Sequence, residues 1–435
     1  MRQILPSLQW LIFILSGSIV VPVTLAASFG LEGEAAMAFI SRTFLVLAVS
    51  GLLQTFFGHR LPINEGPAGL WWGFFSLYAG LGLALFGSAE ETLRVLEFAL
   101  LVSGVITIIL SLTGLIDKLT MLFTPFVVGI YMILLVAQLS GAFVRGLLGI
   151  DRTGEVSLPI VGLSFVTISL SFLMTRSRRW NTVSILLSIA VGWALFALCG
   201  YGELPQLPDT LFIVPELFAL GMPRMEWSVV PTTIFVTLLL ITNMLATIKV
   251  VQGVMSRLGA AEEAQEQSPR KAGFFMGISQ LLGGMLSAVG SVPISGAAGF
   301  IAANKVTSRV PFIIASLAII VLSFFAPAIA WIAALPPAVG YAAVFPIFSG
   351  MMMLGLREWF AAASAEQIIA RVGMPLFAGI GVMAIPAGSF SSLPPLFSSL
   401  LSNGLILGTI IALIMEAVRL YREKASKLTG GAGMR

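Results

Sequence analysis

Apolar runs long enough to cross a bilayer follow one another from residue 7 to about residue 420, with only short polar stretches between them. A run of about 20 apolar residues spans the hydrocarbon layer as a helix. On that length, spans are expected near residues 7–28, 37–58, 66–87, 93–115, 121–143, 157–175 and 181–200. A second set follows near 228–255, 273–290, 294–306, 310–334, 337–356, 372–388 and 400–420. Only 10% of the 435 residues are charged, against about 25% in a soluble domain. The chain therefore reads as an all-α polytopic membrane protein with fourteen transmembrane segments. Fourteen crossings bring both termini to one side. If that side is the cytoplasm, 18 of the 24 basic residues fall on it, 5 lie on the outer side or at outer helix ends, and Lys249 lies within a span. This bias obeys the positive-inside rule and predicts a multi-pass protein of the plasma (cytoplasmic) membrane.

Two of these runs are interrupted, and the interruptions nearly repeat one another. Leu61-Pro62-Ile63-Asn64-Glu65-Gly66-Pro67-Ala68-Gly69-Leu70 aligns with Val292-Pro293-Ile294-Ser295-Gly296-Ala297-Ala298-Gly299-Phe300, the second copy being one residue shorter. Gly and Pro do not propagate an ordinary helix. Such a break is tolerated at membrane depth only where protein or water covers the freed backbone groups. Paired Gly/Pro interruptions at corresponding places in two halves point to a transporter's binding site. Spans 3 and 10 are thus expected as a short extended piece plus a half-helix. The competing reading is that Gly and Pro are common in membrane helices and the likeness is chance.

Other features narrow the class. The net charge is +4, but the basic residues mark topology and do not form a nucleic-acid footprint. One cysteine, Cys199, excludes an intramolecular disulfide or a Cys metal cluster, and one histidine, His59, argues against a His-based zinc site. No small-residue cleavage site follows the first apolar run, so that run is taken as mature protein. Tyr201 to Trp227, with Pro205, Pro208, Pro215 and Pro223 among Leu and Phe, reads as an outer connector on the membrane surface. Residues 260–271, with Glu262, Glu263 and Glu266, read as a solvated inner loop.

Several landmarks resemble one family. Ser7-Leu8-Gln9-Trp10 with Val21-Pro22 is similar to the first helix of the nucleobase:cation symporter-2 family, the nucleobase-ascorbate transporters, although that family usually has Gln-His where this chain has Gln9-Trp10. Arg60-Leu61-Pro62 followed by Gly66 resembles its third-span signature. Gly290-Ser291-x-Pro293 and Lys305-Val306-Thr307-Ser308-Arg309 resemble its tenth. Leu335-Pro336-Pro337-Ala338-Val339-Gly340 resembles the start of its twelfth, and Gly404 with the apolar run after it resembles its last. The resemblance implies 7+7 inverted repeats: residues 1–200 as the first repeat, 201–227 as connector, 228–421 as the second repeat and 422–435 as a basic cytoplasmic tail. It further implies a core of spans 1–4 and 8–11, a gate of spans 5–7 and 12–14, and a homodimer through the gate, though no residue here demands the dimer. The implied activity is nucleobase symport with H+ or Na+ and no other cofactor.

Two half-helices facing each other would turn unpaired N–H groups and partial positive charge toward a ligand. Backbone contacts are therefore expected around Gly66 and Gly69 and around Ser295, Gly296 and Ala297, the competing role for these small residues being helix packing. Asn243 and Thr247, four apart on span 8, share a helix face. The family commonly has a carboxylate and often a histidine at the matching positions. A further family carboxylate in span 10 is replaced here by Ala297-Ala298. Asn243 still offers one donor and one acceptor to the amide-like edge of a base. Gly17, within Ser16-Gly17-Ser18, completes the pocket by family position. Trp71 or Trp72 can stack on a base, but not both. Glu65 is the one carboxylate inside a broken span and is the candidate to bind the coupling proton. The opposing reading puts it at the inner mouth, solvated and paired with Arg60. Lys249 reads as a lysine snorkelling to water.

The expected function is secondary active transport of a nucleobase, purine favoured over uracil or xanthine, by alternating access. The alternatives are an anion transporter of sulfate-permease type, an uncoupled nucleobase facilitator, and a protein that has lost transport. No catalytic cluster for an enzyme appears within the spans, and no Gly-rich loop with Lys for ATP is present.

Overall fold

The structure, a computed structural model, describes residues 3–116, 124–177, 180, 183–202, 205, 207–260, 262, 268–362, 364–386, 389, 401 and 403–430. Most of them are helical. The first half holds α1 (Ile4–Ser18), α2 (Val20–Ser28), α3 (Gly33–Phe56), a short strand β1 (Glu65–Pro67), α4 (Gly69–Phe86), α5 (Ala89–Thr113), α6 (Pro125–Leu147), α7 (Ile150–Thr153), α8 (Leu158–Arg176) and α9 (Ser184–Leu198). The second half holds α10 (Val230–Arg257), α11 (Pro269–Met285), β2 (Ser291–Pro293), α12 (Gly296–Asn304), α13 (Arg309–Phe324), α14 (Ala326–Ala333), α15 (Pro337–Ala362), α16 (Ala365–Met383) and α17 (Gly404–Gly430). Among the described residues, nine helical stretches are long and apolar enough to cross a membrane.

Two interruptions were not visible as such in the hydropathy. The first span bends at Ile19, between α1 and α2. Pro22 has no N–H for the Ser18 carbonyl one turn back, and its ring crowds that carbonyl. The apolar run of residues 310–334 breaks at Phe325, between α13 and α14, where Pro327 does the same to Ser323. The freed carbonyls find new donors. The Ser41 hydroxyl donates to Ser323 O at 2.6 Å, and Ile213 N–H to Phe324 O at 2.9 Å. Ala326 N–H in turn donates to Leu211 O at 3.0 Å. The connector is thus stitched into a broken helix. It is pinned again where Phe218 N–H meets Met285 O and Arg224 N–H meets Arg94 O, while Leu211, Phe212, Val214 and Leu217 stay exposed.

Two compact units are present, residues 1–116 with 141–347, and residues 117–140 with 348–435. In the first, α5 and α11 approach almost backbone to backbone. A Cβ on Gly277 would lie 2.8 Å from Gly104 O, and one on Gly104 would lie 2.8 Å from Gly277 O. Small residues permit this contact in a medium where apolar side chains gain nothing over lipid. In the second unit, α16 and α17 touch at Gly379 and Gly404 in the same way. Buried Glu416 is held there by Arg371 and Arg419, the latter at 2.8 Å, and the Arg371 guanidinium lies 4.1 Å from the Phe126 ring centre. Helix α17 continues through Gly430, so residues 422–430 extend the last helix; 431–435 lie outside the described residues.

Candidate functional site

The two interrupted segments meet. β1 and β2 pair antiparallel, with Glu65 opposite Pro293, Gly66 opposite Val292 and Pro67 opposite Ser291. The pairing is extended by Ala68 N–H to Gly290 O and by Ile294 N–H to Asn64 O, both 3.0 Å. The proline in each segment lacks the N–H that a helix would need. Each strand instead supplies the other with partners that lipid cannot give. Because the strands are antiparallel, α4 and α12 leave the ladder in opposite directions, and both turn their N-termini back toward it.

Neither helix start has a side-chain cap. The N–H groups of Gly69, Leu70 and Trp71, and those of Ser295 and Gly296, have no protein acceptor among the described residues. These are the donors a helix start leaves open. Ala297 differs from the expectation: its N–H is bonded to Ile294 O at 3.1 Å and the residue is buried, so Ser295 carries the free donor in its place. Ser295 and Gly296 are exposed, Gly69 is half-buried and Gly66 is buried, with a Cβ there 2.6 Å from the Ile294 side chain. Gly17 is exposed on α1, one turn beyond the half-buried ring of Phe13. That ring comes within 3.5 Å of a Cβ built on Gly296 and lies 4.8 Å from the Phe300 ring, centre to centre.

Asn243 and Thr247 both point at the ladder. Asn243 Nδ2 donates to Pro293 O at 3.4 Å and Thr247 Oγ1 to the same oxygen at 3.3 Å. Pro293 O would otherwise lack a partner, so α10 clamps the strand and leaves the Asn243 side-chain carbonyl as an acceptor. Glu65 is 2% exposed, and neither of its carboxyl oxygens has a hydrogen-bond partner among the described residues. By the two-residue strand period it shares a face of the ladder with Ser291, whose hydroxyl stands beside the carboxyl and is also unpartnered. Arg60, exposed, makes no ion pair with it.

Both tryptophans are spoken for. Trp71 Nε1 donates to Gln280 Oε1 at 2.8 Å, and Gln280 Nε2 donates to Ser291 O at 2.6 Å. Trp72 is buried against Phe143 and Tyr341. The Trp71–Gln280–Ser291 relay fixes the first turn of α4 to β2 through α11.

A permease-family model, that of the xanthine and uracil permeases, matches residues 1–388. The chain belongs to that family, the nucleobase-ascorbate transporters. A Bacillus subtilis protein named as a putative purine permease, YwdJ, is 42% identical over 98% of this chain and 98% of its own length. The nucleobase transporter PlUacP of Paenibacillus larvae is 24% identical over 94% of this chain and 92% of its own. The uric acid permease PucJ of Bacillus subtilis is 23% identical over 96% and 92%. Among solved structures, the transmembrane domain of the cyanobacterial bicarbonate transporter BicA superposes with a TM-score of 0.60 at 16% identity, covering 95% of this chain and 98% of that one. The murine anion transporter Slc26a9 superposes at 0.62 and 13% identity, covering 97% and 69%. These two share the 7+7 inverted-repeat fold, which this nucleobase-ascorbate transporter therefore has.

Two residues of this family member that the sequence leaves without a role shape the site, Gln280 and Phe13. The signal for Gln280 is a lone amide at membrane depth on a Gly-rich helix, a costly placement unless both ends of the amide are used. Phe13 had no such signal, because one phenylalanine among 31 carries no mark of its own.

Proposed function

We propose that this protein is a secondary transporter that carries a nucleobase, purine in preference to uracil, across the cell membrane by alternating access. The observation that carries the reading is the β1–β2 ladder with an open helix start at each end. A planar base with carbonyl oxygens along its edge suits donors fixed at Gly69, Leu70, Ser295 and Gly296, while Asn243 Oδ1 accepts a ring N–H and Phe13 lies against the ring face. Gly17, exposed on α1, keeps a side chain out of the space, while the small residues Gly66 and Ala297 let the ladder and α12 pack closely behind it. Family membership and the names of the relatives favour a nucleobase over the inorganic anions of the fold neighbours.

Glu65 is the proposed proton carrier. An unpaired carboxylate charge at that depth would cost several kcal/mol, so in this reading a proton accompanies the closing of the ladder over Glu65. Both termini are placed on the cytoplasmic side by the basic-residue bias. Purified protein in liposomes with an acidic exterior is expected to accumulate labelled hypoxanthine or xanthine, with unlabelled purine competing and uracil competing poorly. Uptake of sulfate or bicarbonate with no response to any nucleobase would reject this function.

A further inference from the structure

The loop of residues 57–64, between α3 and β1, is held rigidly by side chains. His59 N–H donates to Gln54 Oε1 at 3.3 Å, Gln54 Nε2 donates to Ala272 O at 2.9 Å, and Thr55 Oγ1 donates to Leu61 O at 3.2 Å. Leu61 N–H donates to His59 Nδ1 at 3.1 Å. That last bond fixes the tautomer. Nδ1 must present its lone pair, so the ring proton sits on Nε2. His59 is 1% exposed, and Nε2 has no hydrogen-bond partner among the described residues. An unmatched donor buried this deeply calls for an acceptor.

His59 lines a small cleft together with Leu245, Ile248, Lys249, Gln252, Pro269 and Ala272. Every charged or dipolar feature of that lining is of one sign or is able to donate. Lys249 is exposed and forms no ion pair among the described residues, and Gln252 supplies an amide NH2. Pro269 and Ala272 belong to the first turn of α11, where Pro269 has no N–H and the Lys271 and Ala272 N–H groups are taken by Ser268 O, so the cleft's donors are its side chains. No carboxylate lines it. A buried N–H, an ammonium and an amide around one space form the donor set that an oxyanion satisfies.

We propose that this cleft binds an oxyanion of the phosphate type, received by Lys249 and Gln252 and seated against His59 Nε2. Nε2 is covered in the conformation described, so the lining side chains move apart for the ligand to reach it. The site lies on the loop that leads directly into β1, apart from the helix starts at Gly69 and Gly296, and it does not depend on the nucleobase reading. A soluble phosphate and a phospholipid headgroup share this chemistry.

His59 is the only histidine in the chain, so protein labelled with ¹⁵N-histidine shows a single imidazole spin system. In nanodiscs of uncharged lipid, sodium phosphate added at constant pH and ionic strength is expected to shift the Nε2 resonance saturably. Lys249→Met should weaken that response roughly tenfold, with Lys249→Arg restoring it. A shift seen in nanodiscs containing phosphatidylglycerol, without added phosphate, identifies the headgroup as the source and also supports the site. A resonance that moves in neither preparation, or that moves equally in Lys249→Met, overturns the proposal.

Discussion

Gly290→Ala is expected to reduce nucleobase uptake by an order of magnitude or more while the protein still reaches the membrane. A Cβ at this position would lie 2.4 Å from Trp71 Cδ1, 2.5 Å from Trp71 Nε1 and 2.7 Å from Gln280 Oε1. These groups are fully buried, and they are the two partners of a 2.8 Å hydrogen bond. Room for the methyl group can be made only by separating them. Overpacking of this kind costs about 1–3 kcal/mol, and each buried polar group left without a partner adds about 1–3 kcal/mol. The damage is local but central: Gly290 O also accepts from the N–H of Ala68, the residue just before α4. The predicted consequence is a displaced Gly69 helix start. Gly162→Ala, where nothing lies within 4 Å of the added carbon, is the matched control and should transport normally. Uptake by Gly290→Ala at the parent rate would show that the relay does not position the site.

Glu65→Gln should abolish concentrative uptake and flatten its dependence on pH, while exchange of internal for external purine continues. Glutamine matches the shape of a protonated glutamate and carries no titrating proton. The parent protein should transport faster as the outer solution is made more acidic, because proton loading precedes closure over the buried Glu65 side chain. Removing the exchangeable proton removes that dependence but leaves the Gly69, Ser295 and Gly296 donors in place. An unchanged pH profile, or uptake that follows a sodium gradient and ignores pH, would remove Glu65 from the coupling role.

Much of the architecture was legible before any coordinates. The apolar runs and the charge bias depend on the bilayer, which imposes length and sign on a sequence regardless of packing detail. The paired Leu61 and Val292 segments were legible for a related reason: proline and glycine at membrane depth force a backbone solution other than helix. The strand pairing that provides this solution was not written in either segment alone, since Glu65 meets Pro293 only when the two halves are assembled. The breaks at Ile19 and Phe325 are not legible because the prolines that cause them sit three and two residues later, inside runs apolar enough to read as one continuous span.

The chemistry of the site was less accessible. Asn243 and Thr247 were placed on a common helix face correctly, but their shared target, Pro293 O, lies on another span. Ala297 and Ser295 differ only in which N–H the tight first turn of α12 consumes. The Arg60 alternative for Glu65 rested on sequence distance, and the positive φ of 56° at Arg60 turns the chain away at that point. Trp71 looked like a stacking platform, whereas its indole N–H is committed to Gln280.

A base held between the starts of α4 and α12 would shield Ser295, and ligand protection at that residue is the most direct measurement of such binding. In a background with Cys199, the sole cysteine, replaced by alanine, Ser295→Cys places a thiol at the exposed start of α12. Alkylation by a small maleimide should slow in proportion to occupancy when xanthine or hypoxanthine is added, with half-protection at the concentration that half-saturates uptake. Alkylation at one unchanged rate from zero to saturating purine would mean that the base binds elsewhere.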